Sequence, residues 1–305
     1  TCVKNCDLDF MALLMDKTGF PQEAKASLLE SARAMEDKGQ APALLEALDA
    51  FYQNGFSTKD AQPAIDAMAE KAALSPYTVW MLFLMQGARR AKEDYEKKGV
   101  GEEIFWATFS DLRYKALECK ENHDVWGTFV AFWYPIFYSC DIVKLGRLEY
   151  ENRAYDGPAY EKNGFSLRPG DKVKSIHIPS SGEPFNREAR MDSYRQAYAF
   201  FKEELGGGPL LCVCHSWLLY PEYKKILKPG SNIVDFQSDF DIIKADAEEF
   251  GDAWRVFGPQ HALPAANLPE DTSMRRAFKQ HLLSGGTTGE GLGILIFDGE
   301  KIVNV

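Results

Sequence analysis

His177 is the residue in this chain whose type and setting most suggest chemistry. It lies in the alternating run Lys172–Pro179, with Val173 and Ser175 on its own face and Ile176 and Ile178 on the other. A neutral imidazole can take a proton from an attacking amine near pH 7, which makes His177 a candidate general base. The plainer role is a half-buried histidine that holds the corner at Pro179 by a hydrogen bond. Glu149 and Glu151 are alternative bases on the polar face of the run Val143–Tyr155, which they share with Arg147. An unpaired buried carboxylate has the raised pKa such work needs, but pairing with Arg147 or Lys144, or exposure to water, fits the same pattern.

Cys214-His215-Ser216 invites a hydrolase reading with cysteine or serine as nucleophile. Adjacent strand residues point to opposite faces, so His215 cannot easily activate either neighbour. Tyr220, just past that strand, could protonate a leaving thiolate or simply pack. The run GGTTGEGLG at 285–293 follows a helix and precedes a strand, the reverse of a phosphate loop, and lacks its Gly-Lys-Ser/Thr ending; it reads as a flexible connector. The histidines at 123, 177, 215, 261 and 281 show no metal-ligand spacing, so no metal is expected. Cys2, Cys6, Cys119, Cys140, Cys212 and Cys214 form no CxxC pair and read as reduced, buried thiols.

These residues need elements to hold them. Lys172–Pro179 reads as a strand that Pro179 ends, Ser180–Pro184 as a loop, and Asp192–Leu205 as a helix with Tyr194, Ala197, Tyr198, Phe201 and Leu205 on one stripe. The run GGGP at 206–209 stops the helix, and Leu210–Leu219 is a second apolar strand. Strand, helix and strand in that order make the two strands parallel neighbours. The helix N-terminus between them can hold an anion such as a pyrophosphate.

Around this unit the chain divides by period. Residues 1–140 read as a helical domain: Asp7–Thr18, Gln22–Lys38, Pro42–Gln53, Asp60–Ala73, Tyr77–Lys98, Glu102–Glu121 and the apolar Trp126–Ser139. The last is too short, and too interrupted by Pro135, to span a bilayer, which needs about 20 apolar residues. Residues 141–305 read as a mixed sheet with flanking helices, so the fold class is α+β. There Val143–Tyr155 is one strand and Tyr160–Leu167 a return strand. Pro221–Leu227 is a short helix and Ser231–Ile243 an irregular strand or turn. Thr272–Ser284 is a capped helix, and Gly293–Val305 a hairpin turning at Asp298-Gly299.

With 305 residues, 45% hydrophobic and 26% charged, the composition is that of a soluble globular protein. A net charge of −10 argues against sequence-independent binding of nucleic acid or anionic membrane. No leader is read ahead of the first helix, and the expected location is cytoplasmic.

The motifs SDLRYK, WGTF and LGRLEYE within 110–151, with SIHIPSSG at 175–182, CHSWLLYP at 214–221 and SNIVDF at 231–236, resemble a bacterial acyltransferase family. That family is described with a helical N-acyltransferase N-terminal domain and a C-terminal domain like the Gcn5-related N-acetyltransferases (GNAT-like). The resemblance implies an acyl-CoA-dependent N-acyltransferase, moving an acyl group, acetyl first among them, to a small-molecule or peptide amine. It implies that acetyl-CoA or another acyl-CoA lies along Ile178, Pro179, Ser180, Ser181 and Gly182. Arg187, Arg190 and Ser193 of the helix, and His215 and Ser216 of the splaying second strand, would be its further contacts. The loop SSGEPFNREARMDS departs from the family's glycine-rich cradle, and only Gly182 offers unhindered backbone. A non-catalytic GNAT-like module that binds a ligand or partner is the alternative.

Overall fold

The computed structural model describes residues 5–305, so Cys2 lies outside the described residues. The chain divides into two compact units, Thr1–Lys144 and Leu145–Val305.

The first unit is helical. It holds α1 (Leu8–Lys17), α2 (Gln22–Asp37), α3 (Ala41–Gln53), α4 (Thr58–Ala72), α5 (Pro76–Lys97), α6 (Glu102–Phe109), α7 (Asp111–His123) and the single turn α8 (Pro135–Tyr138). Asp7, Ser57 and Ser75 each accept a backbone N–H from the first turn of α1, α4 and α5. Pro76 opens α5, where its missing donor costs nothing. Every residue of α5 from Thr78 to Ala88 is buried, so α5 is the core around which the others pack. Among the described residues no helix is long and apolar enough to cross a membrane.

Two segments differ from the sequence expectation. Glu102–Glu121 is two helices, because the Ser110 hydroxyl bonds back to the Trp106 carbonyl at 2.8 Å and the chain turns there. Trp126–Ser139 is loop, one 3-10 turn (Ala131–Trp133) and α8. Gly127 explains the loop: a Cβ on it would lie 2.4 Å from the Tyr77 carbonyl carbon. The backbone passes directly over the first turn of α5, and Thr128 N–H donates to the Tyr77 carbonyl at 3.0 Å.

The second unit is built on a sheet. Its strands are β1 (Ile142–Leu145), at the division between the units, β2 (Leu148–Ala154), β5 (Lys172–His177), β6 (Leu210–Ser216), β7 (Asp241–Ala247) and β8 (Gly289–Phe297). They lie in the order β1-β2-β5-β6-β8-β7, while β3 (Tyr160–Lys162) and β4 (Phe165–Leu167) form a separate hairpin. β5 and β6 are parallel, and α9 (Arg187–Phe200) and α10 (Lys202–Leu205) carry the chain between them, as the sequence predicts. β2–β5, β6–β8 and β8–β7 are antiparallel.

On one face Val173, Val213, Ile294 and Ile296 make a core closed by Tyr160 and Leu167 of the hairpin. The opposite face meets α9, where Ser193 bonds Tyr150 and Tyr194 packs on Phe297. The remaining helices, α11 (Tyr223–Ile226), α12 (Asn232–Gln237), α13 (Ala253–Phe257) and α14 (Ser273–Leu283), include a second apolar cluster around Tyr223, Phe257 and Phe278. Thr272 caps α14.

Three expectations change here. Val143–Tyr155 is a hairpin rather than one strand, turning at Gly146 with φ +63°. Ser231–Ile243 contains a helix, α12, before β7 begins. Residues 289–293 are strand, not connector. Gly289, Gly291 and Gly293 alternate along β8 and leave one face bare, and Cβ atoms there would stand 2.1 Å from Asp246 O, 2.3 Å from Leu219 O and 2.8 Å from Phe240 Cβ. The Asp298-Gly299 turn brings the chain back through a single bridge, Phe297 to Ile302.

Candidate active site

The β2–β5 register places Glu149 opposite His177 and Glu151 opposite Ser175, so all four side chains share one face of the sheet. His177 Nε2 lies 2.7 Å from Glu151 Oε2, a diagonal contact between neighbouring strands. His177 is 23% exposed and Glu151 14%, so the pair is sheltered yet open to a small reactant. Glu149, directly across from His177, is only 1% exposed.

The parallel pair β5–β6 is joined at just two register positions, Lys174 with Cys212 and Ser175 with Val213. β5 continues to His177 and β6 to Ser216, where it pairs with β8 alone. No β5–β6 pair is registered beyond Ser175 and Val213, and counting on from them His177 and His215 each lie two residues past the last pair and on the same face. His215 Nε2 lies 3.0 Å from Glu290 Oε2 on β8. Burial pushes the Glu290 carboxyl above its ordinary value, and the neighbouring ring pulls it back.

The loop from β5 to α9 leads away from these groups. The Pro179 carbonyl accepts from Arg147 Nη1 at 2.8 Å and from Ser181 N–H at 2.8 Å. Ser180 and Gly182 are exposed, Ile178 and Ser181 half-buried, and Gly182 has φ +76°. Asn186 caps α9 by accepting from Ala189 N–H at 2.9 Å. Arg187, in the first turn, is 61% exposed, with its nearest carboxylate, Asp239, at 3.6 Å.

Two expected cofactor contacts are instead interior groups. Arg190 is fully buried, its Nε 2.7 Å from Asp239, its Nη2 2.5 Å from Asp235 and its Nη1 3.0 Å from the Phe185 carbonyl. Three of the five guanidinium N–H groups are engaged inside the protein and the side chain is fully buried, so it is not presented to a phosphate. Ser193 is likewise buried, donating to the Leu145 carbonyl at 2.5 Å and accepting from Leu148 N–H at 3.2 Å. Tyr220 also departs from its expected place. Its ring lies against the bare face of β8 and its hydroxyl meets Thr287 Oγ1 at 2.8 Å, on the other side of the sheet from His177. Ser216 accepts from Leu218 N–H at 3.1 Å and shapes the chain's exit from β6. Cys214 is fully buried and burial pushes its thiol far up, which removes it as a nucleophile.

Sequence reasoning missed Glu290, Asp235, Asp239 and the clamp from Arg147. For Glu290 the signal was present: G-E-G-L-G alternates with the period of a strand. For the two aspartates no local signal existed, since their partner lies 45 and 49 residues away.

Comparison with known proteins follows this geometry. Residues 9–140 match the N-acyltransferase N-terminal domain and residues 142–295 the GNAT-like C-terminal domain. An acyltransferase in complex with decanoyl-CoA and teicoplanin is 18% identical over 93% of this chain and 86% of that one, with a TM-score of 0.71. An acyltransferase mutant in complex with octanoyl-CoA has the same identity and coverage and a TM-score of 0.72. One in complex with CoA and 10C-teicoplanin is 17% identical over 93% and 98% of the two chains, with a TM-score of 0.62. At these identities the likeness is one of fold. No curated protein matches the chain significantly in sequence.

Proposed function

The chain belongs to the family that joins an N-acyltransferase N-terminal domain to a GNAT-like C-terminal domain, and from that premise we propose that it moves an acyl group from an acyl-CoA thioester to an amine. The observation that carries the reading is the His177–Glu151 pair, set at the place where β5 and β6 part. Backbone groups of Ile176–Ile178 and Cys214–Ser216 border that parting, and an extended donor with amide groups can pair with them as a strand would.

His177 is the base. The neutral amine attacks the thioester carbonyl, its proton passes to the imidazole, and Glu151 holds the ring and offsets the imidazolium charge. The exposed loop at Ser180–Gly182, with Arg187 as its cation, is where the donor's phosphates would lie. Similar folds hold decanoyl-CoA and octanoyl-CoA, which makes medium-chain donors the first to test and acetyl-CoA the comparison. Those folds also hold teicoplanin, which supports a small-molecule acceptor over a peptide.

The alternative, a non-catalytic binding module, draws on one feature: Asn186 already occupies an N–H of the α9 terminus. A carboxylate-held imidazole beside the parting weighs against it. The test is thermal. CoA, acetyl-CoA and decanoyl-CoA should each raise the melting temperature, and decanoyl-CoA with an amine panel that includes teicoplanin should release free thiol. Stabilisation without thiol release in any combination would leave the binding module standing.

A further inference from the structure

His215 and Glu290 form a second imidazole–carboxylate pair that the step above does not use. Three observations place it in the same chemistry. His215 is level with His177 across the parting of β5 and β6, because Ser175 and Val213 are partners and each histidine lies two residues further on. Both rings rise from the same face of the sheet. Each has its Nε2 close to a carboxylate on the outer neighbouring strand: His177 is hydrogen-bonded to Glu151 on β2, and His215 lies 3.0 Å from Glu290 on β8. A tetrahedral centre between the two strands would offer its nitrogen to one imidazole and its sulfur to the other.

We propose that His215, with Glu290 as its partner, is the acid of the acyl transfer and gives the departing sulfur its proton. This rests on the acyl-transfer reading. The electrons balance as follows. The amine lone pair forms the C–N bond, the C–S bond breaks with its pair going to sulfur, His177 gains the amine proton and the His215 imidazolium loses one to the thiolate. One proton returned from His177 to His215, directly or through solvent, resets both rings. Tyr220, which from sequence could either protonate the thiolate or simply pack, lies on the other face. The charged groups sharing His215's face include Glu290, the Lys244–Asp246 pair of β7 at 2.8 Å, Asp241 of β7 with Lys162 of β3 at 2.9 Å, and, on the β5 side, Glu149, Glu151, His177 and Arg153 with Asp156 at 3.0 Å. Glu248 and Asp252, which follow β7, add negative potential at Glu290.

The experiment measures thiol release from decanoyl-CoA with hydroxylamine as a small surrogate acceptor, across pH, for the wild type, His215→Gln and His177→Gln. Variant-to-wild-type ratios are compared, so the acceptor's own titration cancels. A lost acid hurts most where the acid would be protonated. The His215→Gln ratio should therefore be depressed by about 10²–10⁴-fold at low pH and climb toward one as pH rises. A lost base gives the opposite slope, so the His177→Gln ratio should fall as pH rises. Glu290→Gln removes the charge that offsets the His215 imidazolium, and should reduce the wild-type advantage over His215→Gln at low pH. A His215→Gln ratio near one, a flat one, or one that slopes with that of His177→Gln overturns the assignment. If the wild type moves no acyl group from any donor, the acyl-transfer reading itself fails, and this assignment with it. His215 is 56% exposed at its side chain, so the substitution leaves the core untouched, and Glu290→Gln gives an independent readout.

Discussion

Glu151 holds His177 at 2.7 Å although Glu149, not Glu151, is the residue directly opposite it on β2. The diagonal matters, because it pulls the ring back along the strand and turns Nδ1 away from the carboxylate that fixes it. Glu149, opposite His177 and almost fully buried, is a second carboxyl group on the same face.

His177→Gln should lower turnover by about 10²–10⁴-fold, the usual worth of a general base, with melting temperature and CoA affinity close to wild type. Steady-state kinetics beside a thermal melt checks this. A variant with normal turnover per folded molecule and a lowered melting temperature would make His177 a structural residue.

Glu151→Gln should lower turnover by more than about tenfold, because the ring loses the carboxylate that orients it and offsets the charge it gains. Steady-state kinetics at one pH beside a thermal melt checks this. Wild-type turnover with a wild-type melting temperature would contradict a part for the pair in the chemistry.

Arg190→Met should destabilise the second unit by about 3–5 kcal/mol, because it leaves the buried Asp239 carboxylate without its guanidinium. Adding Asp239→Asn should recover part of that loss, since the stranded charge is then gone. Denaturant melts of the single and double variants decide it, and equal midpoints would deny the coupling.

Native protein at about pH 8 should resist alkylation at its described thiols. Burial pushes Cys6 and Cys140 up to about 11 and Cys119 up to about 12, with Cys212 and Cys214 higher still, so almost no thiolate forms. Mass spectrometry before and after urea should show labelling only after unfolding, and Cys214→Ala should keep its turnover. Rapid native labelling of Cys214 would revive it as a nucleophile.

The sequence made the strand–helix–strand unit at Lys172–Ser216 legible because each piece carried its own period and its own stop, Pro179 and then the glycines before Pro209. The histidine and glutamate candidates were legible for the same reason: alternation fixes a shared face before any coordinates exist. What escaped depends on distant partners. Arg190 looks like a cation for phosphate until Asp235 and Asp239 close on it from a later helix and its end. Trp126–Ser139 looks like an apolar helix until Gly127 is seen to cross the start of α5, a contact reaching back to Tyr77. Residues 285–293 look loose because glycine is common in loops, yet three of them are there for the close approach of other chain segments.

That bare strip on β8 fixes the course of β6 after His215. Leu219 and Tyr220 settle directly onto its backbone, which packs the exit from β6 against β8. On the proposed reading a donor seated beside β6 would meet a wall already fixed by that packing. Little of the interaction energy would then be spent on reshaping the protein. Association should accordingly be fast and simply bimolecular, with no slow isomerisation preceding it.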